Sequence, residues 1–135
     1  MFDSTESLYA ELAEVLGIAS LPADDQGSVE LAFGEDTTVL LFAEDAASLM
    51  LVVPVMPLPA SLDYGRLLWL LQRNFHDSAI APFRVCCDAA ATIVLWGRVP
   101  TQSLDGAGLA GLAEALADEA RVLREELGPD TVAGG

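Results

Sequence analysis

Eight consecutive residues, Ser48-Leu49-Met50-Leu51-Val52-Val53-Pro54-Val55, constrain this chain more than any other segment. A segment in which seven apolar residues follow Ser48 reads as a strand, and its period of two makes both faces apolar. An antiparallel sheet in a small domain usually buries one face and leaves the other to water. A strand with two dry faces therefore needs a second layer, or presents one face as a binding surface.

The neighbouring segments supply the rest of the sheet. Val29, Leu31 and Phe33 alternate with Glu30, Ala32 and Gly34, the pattern of a half-buried strand. Gly34-Glu35-Asp36 turns into Thr38-Val39-Leu40-Leu41-Phe42, and Glu44-Asp45-Ala46 turns into the two-faced strand. Turns this short imply an antiparallel meander. Two further strands, Phe83–Cys87 and Thr92–Trp96, are joined through Asp88-Ala89-Ala90.

Three helices frame these strands. The first starts at an Asp3 cap with Glu6 behind it, carries Leu8, Leu12, Val15 and Leu16 at helical spacing, and stops at Gly17. The last starts at Ser103 and runs a stripe of Leu109, Leu112, Leu116, Ala120, Leu123 and Leu127 to the Gly128-Pro129 stop. The middle helix begins near Ser61 and repeats the problem of the third strand. Tyr64, Leu68, Leu71 and Phe75 make one stripe, while Leu67, Trp69 and Leu70 fill much of the remaining circumference. Such a helix cannot hide its whole surface against its own sheet. Burial on two sides implies a partner subunit, most simply in a symmetric dimer. The expected fold is α+β, an antiparallel sheet with helices packed on it, in the order α-β-β-β-α-β-β-α. Residues 1–128 form one domain and 129–135 a mobile tail.

Composition then excludes partners. The 135 residues are 53% hydrophobic, yet carry 21 acidic side chains against 6 basic ones, a formal charge of −15. High hydrophobicity alongside that charge points to a folded chain rather than a disordered one. All the cations are arginines (66, 73, 84, 98, 121 and 124), too few and too scattered for a basic patch. Nucleic acid and anionic membrane surfaces are thereby disfavoured. The opening residues lack the basic and apolar regions of a secretory leader, and Pro54, Pro57 and Pro59 break the longest uncharged stretch. The chain is expected to be soluble and cytosolic.

No constellation for catalysis stands out. His76 is the sole histidine, with no nucleophile or carboxylate motif directed at it. Cys86 and Cys87 are adjacent in a strand, a spacing that suits neither a redox pair nor metal ligation. Asp24-Asp25-Gln26-Gly27 lacks the distal glutamate of a calcium loop. Gly106, Gly108 and Gly111 follow no strand directly and lack the Lys-Ser/Thr ending of a phosphate loop. Neither a cofactor nor a metal is expected. What stands out is apolar surface beneath an acidic coat, which suits a protein that holds an extended apolar segment of another chain by strand addition and side-chain pockets.

The order of elements, the size and the acidity resemble the class I type III secretion chaperones, the CesT/SycE-like family. The matching marks are Leu12 and Leu16-Gly17, then Asp25-x-Gly27-x-x-x-Leu31, then Leu67-Leu68-x-x-Leu71-x-x-Asn74-Phe75, then Leu95-Trp96-x-x-Val99-Pro100-x-x-x-Leu104-Asp105. Ile80-Ala81-Pro82-Phe83 departs from the small residues common at that point of the family, and the Cys86-Cys87 pair is unusual in it. The resemblance implies a bacterial cytoplasmic homodimer without enzymatic activity. Such a chaperone binds the N-terminal region of a secreted effector, keeps it extended and secretion-competent, and releases it at the secretion ATPase. It also implies a dimer interface at Leu67, Leu68, Leu71 and Phe75, with Val85 and Cys87 beside them. Effector-binding patches fall at Leu8, Leu12, Leu31, Phe33, Leu40, Phe42, Leu49 and Leu51. Each of these can equally serve the chain's own core, because the sequence does not say which sheet face is covered. A dimeric regulatory or adaptor protein of the same fold, outside secretion, is the alternative.

Overall fold

The structure, a computed structural model, describes residues 4–18, 28–43, 48–74 and 83–128. The Asp3 cap, the Asp24–Gly27 loop, Phe75, His76 and the expected tail 129–135 lie outside the described residues. The elements run α1 (Ser4–Leu16), β1 (Val29–Phe33), β2 (Thr37–Ala43), β3 (Ser48–Pro57), α2 (Tyr64–Gln72), β4 (Arg84–Cys87), β5 (Thr92–Pro100), a 3-10 turn (Thr101–Ser103) and α3 (Gly106–Leu127). This is the expected order. All strand pairs are antiparallel, and the strands lie side by side as β1-β2-β3-β5-β4.

The two-faced strand β3 is the middle of the sheet. Its register with β2 sets Leu41 opposite Leu51, and with β5 it sets Val53 opposite Leu95. Leu49, Leu51, Val53 and Val55 thus share one face with Val29, Leu31, Val39, Leu41, Ile93 and Leu95, and all of them are buried. Leu109, Leu116, Ala120, Leu123 and Leu127 of α3, with Leu8 and Leu12 of α1, complete this core. Each large side chain withdrawn from water here contributes on the order of 1.5–3 kcal/mol. Pro54 is tolerated in a central strand because the β2 ladder ends at Leu40↔Val52, before Pro54, and the β5 ladder slips between Pro54 and Met56.

Two glycines are dictated by close approach. At Gly97 a Cβ would lie 2.3 Å from Phe83 Cδ1, so the phenyl ring occupies the space a side chain would need. Sequence reading ends the last strand at Trp96. The strand instead runs through Gly97 to Pro100, since the glycine makes room for Phe83 rather than a turn. At Gly106 a Cβ would lie 2.4 Å from the backbone carbon of Glu11, so the start of α3 is pressed onto α1. The Gly106 amide also donates to Glu11 Oε1 at 3.1 Å. The glycines that superficially echo a phosphate loop begin with a helix-packing glycine.

Helix ends also differ from expectation in position. Asp105, not Ser103, caps α3, accepting from the Gly108 amide at 2.7 Å, because Thr101–Ser103 is spent on a 3-10 turn. Asp63 caps α2 by accepting from the Arg66 amide at 2.7 Å, which starts the helix at Tyr64 rather than near Ser61. Gly17 at φ +75° ends α1 as expected. Arg124 ties the far end of α3 to the sheet, donating to Val55 O at 2.8 Å, Thr37 Oγ1 at 2.7 Å and Asp36 O at 2.9 Å.

Candidate partner-binding site

Helix α2 is tied down at its C-terminal end, and much of its apolar surface is left bare. Beyond its last turn, Arg73 donates from Nε to Glu119 Oε2 of α3 at 2.8 Å, adds a second contact through Nη2, and lies 4.7 Å over the Trp69 ring. Trp69 and Leu70 are the helix residues that pack against the core. No residue of α2 is buried, and Tyr64 is 79% and Leu71 62% exposed, with Leu67 and Leu68 exposed beside them. Leucines exposed side by side in this way form an apolar surface of the kind that partner proteins cover.

The second face of the sheet has the same character. Cross-strand pairing lines up Leu40, Val52 and Trp96 in one row and sets Phe42 opposite Met50 in the next. These residues are half-buried, with Arg98 at the rim, its guanidinium 5.4 Å from the Trp96 ring. The sheet's two edges are unlike each other. On β4, the Asn74 carboxamide takes the place of a neighbouring strand: Nδ2 donates to Val85 O at 2.8 Å, and Oδ1 accepts from the Val85 amide at 2.6 Å. Arg84 Nη1 closes the connection by donating to Asn74 O at 2.7 Å. The opposite edge, β1, pairs among the described strands with β2 alone.

The anticipated site residues divide along these lines. Leu8, Leu12, Leu31, Leu49 and Leu51 are buried within the chain's own core, a correction to their reading as effector contacts. The reason is parity: Leu31, Leu49 and Leu51 sit on the face that α1 and α3 cover, and Leu8 and Leu12 are on the inner side of α1. Leu40 and Phe42 have the opposite parity and stay half-exposed, as does Phe33 at the end of β1. Leu67, Leu68 and Leu71 are exposed on α2, and Cys87 is exposed on β4. Val85 is buried, turned toward Leu95, and belongs to the core. Met50, Val52 and Trp96 were not singled out from the sequence, although the two dry faces of β3 announced that such a row had to exist.

Reactive chemistry is sparse. Among the described residues no group of three or more His, Cys, Asp or Glu side chains could hold a metal ion. Both thiols are exposed and free. Partial desolvation pushes the Cys86 thiol above its ordinary range, and the neighbouring Cys87 and Asp88 push it further, so at neutral pH it is a thiol rather than a nucleophilic thiolate. No helix among the described residues is long and apolar enough to cross a membrane.

A core on one side and bare apolar surface on the other suit a chain that binds another protein. Residues 7–124 match the model of the Tir chaperone protein (CesT) family, and the chain belongs to that family. Solved structures agree. A chain of the heterodimeric ExoU-SpcU complex from the type III secretion system of Pseudomonas aeruginosa is 26% identical, with TM-score 0.76 over 90% of this chain and 98% of that one. The Yersinia pestis type III secretion chaperone SycH, solved with a fragment of YscM2, is 21% identical, with TM-score 0.75 over 88% and 98%. A chain of the ExsC-ExsE complex is 24% identical, with TM-score 0.74 over 93% and 97%. No curated protein sequence matches the chain significantly. These relatives do not favour the adaptor alternative.

Proposed function

We propose that this chain is a cytoplasmic, non-enzymatic chaperone of a type III secretion effector, binding the effector's N-terminal region in extended form so that it stays soluble and secretion-competent. The observation that carries this reading is the family match across residues 7–124. In this reading the chain is a homodimer, with Leu67, Leu68 and Leu71 of α2 as the interface and Cys87 beside it. Leu40 and Phe42, joined by Met50, Val52 and Trp96, receive apolar side chains of the effector. Residues 1–128 act as one chaperone domain. The effector backbone pairs at β1, because Asn74 already satisfies Val85 at the other edge. The secretion ATPase is the machine that strips the complex.

The test is co-expression with an aggregation-prone effector encoded nearby. The chaperone keeps that effector in the soluble fraction, and deleting the chaperone abolishes both solubility and secretion. Unchanged solubility and secretion after deletion would contradict the proposal.

A further inference from the structure

We propose that a hollow at the end of β1 selects an arginine or lysine in the bound segment. This rests on the reading that an extended segment pairs with the β1 edge, and it adds which residue that segment must carry. The hollow lies between the β1–β2 hairpin and the flank of α3 that carries Glu114, Ala117, Asp118 and Arg121, with a volume of about 340 Å³. That is at the small end of the range ligand pockets occupy and enough for one long side chain. Phe33, the last residue of the edge strand, and Ala117 supply its apolar surface, while Asp36, Glu114, Asp118 and Arg121 supply its charges.

The charge balance decides the occupant. Arg121 donates to Asp118 Oδ1 at 2.7 Å, so these two largely cancel. Arg124 directs its guanidinium to Val55 O, Thr37 Oγ1 and Asp36 O, and its Nη1 stays 3.8 Å from the Asp36 carboxylate, whose side chain is 77% exposed. Asp36 is thus paired with Arg124 and also accepts from Thr37 Oγ1 at 3.3 Å, and Glu114 leaves the hollow with one negative charge in surplus, in a chain that is negative overall by 15 charges. A neutral aliphatic group would fill the apolar part and bring Glu114 no counter-charge. An arginine or lysine matches both parts, laying its stem on Phe33 and Ala117 and its head between the carboxylates, with the aromatic ring as a further cation partner. A segment paired along β1 passes this hollow as it leaves the strand at Phe33. The basic residue thus follows or precedes the paired stretch directly, according to strand direction.

The experiment uses phage-displayed dodecapeptides selected on the purified full chain. The most enriched peptide is synthesised with its basic residue and with glutamine in its place. Affinities are measured by calorimetry on the wild type and on the Asp36→Asn, Glu114→Gln double variant, and β1 amide exchange is followed with each peptide bound. Both substitutions keep size and leave the Arg121–Asp118 pair and the Arg124 contacts to backbone and Thr37 intact. The expected result is about fivefold tighter binding of the basic peptide by the wild type, falling to about twofold or less on the variant. Protection of β1 persists in both, and the preference shrinks as salt is added. Peptides that protect β1 but need no basic residue, or keep their preference on the variant, would overturn the assignment while sparing strand addition. Peptides that leave β1 unprotected would overturn strand addition, and the assignment with it.

Discussion

In α3, Leu109, Leu116, Leu123 and Leu127 are withdrawn from water, whereas α2, richer in leucine for its length, keeps Leu67, Leu68 and Leu71 exposed and buries no residue. The two helices belong to the same fold and are linked by the Arg73–Glu119 pair. What separates them is the far side of each. Helix α3 has a wet face of Glu114, Asp118, Glu125 and Glu126, so its apolar stripe has only one place to go. In α2 the leucines extend around the helix, and its own sheet can take only the side bearing Trp69 and Leu70. The same contrast divides the faces of β3. Leu49, Leu51 and Val53 are core, while Met50 and Val52 are half-exposed on a surface they share with Leu40, Phe42 and Trp96. Apolar content alone does not distinguish core from exposed surface here; in the helices, the presence of a charged opposite side does.

The contrast can be broken most strongly with paired truncations. Leu109→Ala should destabilise the isolated chain by about 2–5 kcal/mol in urea unfolding, since it opens a cavity beneath the sheet. Leu71→Ala under dissociating conditions should change the same measurement by less than about 0.5 kcal/mol. Equal losses would mean that α2 is as much core as α3. Next in size is Gly106→Ala, which must push α3 off Glu11 and should cost about 1–3 kcal/mol in thermal unfolding. A neutral result would show that the two helices are not in close contact. Asp105→Ala should cost about 1 kcal/mol through loss of the α3 cap. The smallest effect is chemical. In a Cys87→Ser background, Cys86 should be alkylated by iodoacetamide at pH 7 more slowly than free cysteine, because its raised pKa lowers the thiolate fraction. The rate should climb as pH approaches that pKa, and a rate equal to free cysteine at pH 7 would contradict the shift.

Much of the fold is legible in the sequence because it rests on period and punctuation. The alternation in Val29–Phe33 and the stripe of α3 carry their own geometry, and the order of elements follows from them. The Leu49/Met50 parity is not legible in the same way, since both sets are apolar and only the register with Leu41 and Leu95, together with the helices above, assigns the inner set. That is why Leu31, Leu49 and Leu51 read as contact candidates and prove to be core. Gly97 and Ser103 mislead for a related reason. A glycine reads as a breaker until Phe83 is seen against it, and a serine reads as a cap until the 3-10 turn carries the helix start on to Asp105. The exposed leucines of α2, by contrast, were readable as surplus from the sequence itself.

The central claim is that this surplus is an interface. Size-exclusion chromatography with light scattering on the purified chain measures it directly, for the wild type and for Leu67→Ser, Leu68→Ser, Leu71→Ser combined. The account predicts twice the chain mass for the wild type and a folded single chain for the triple variant, with unchanged helical circular dichroism. A wild type that runs as a single chain, or a triple variant that stays double, would contradict it.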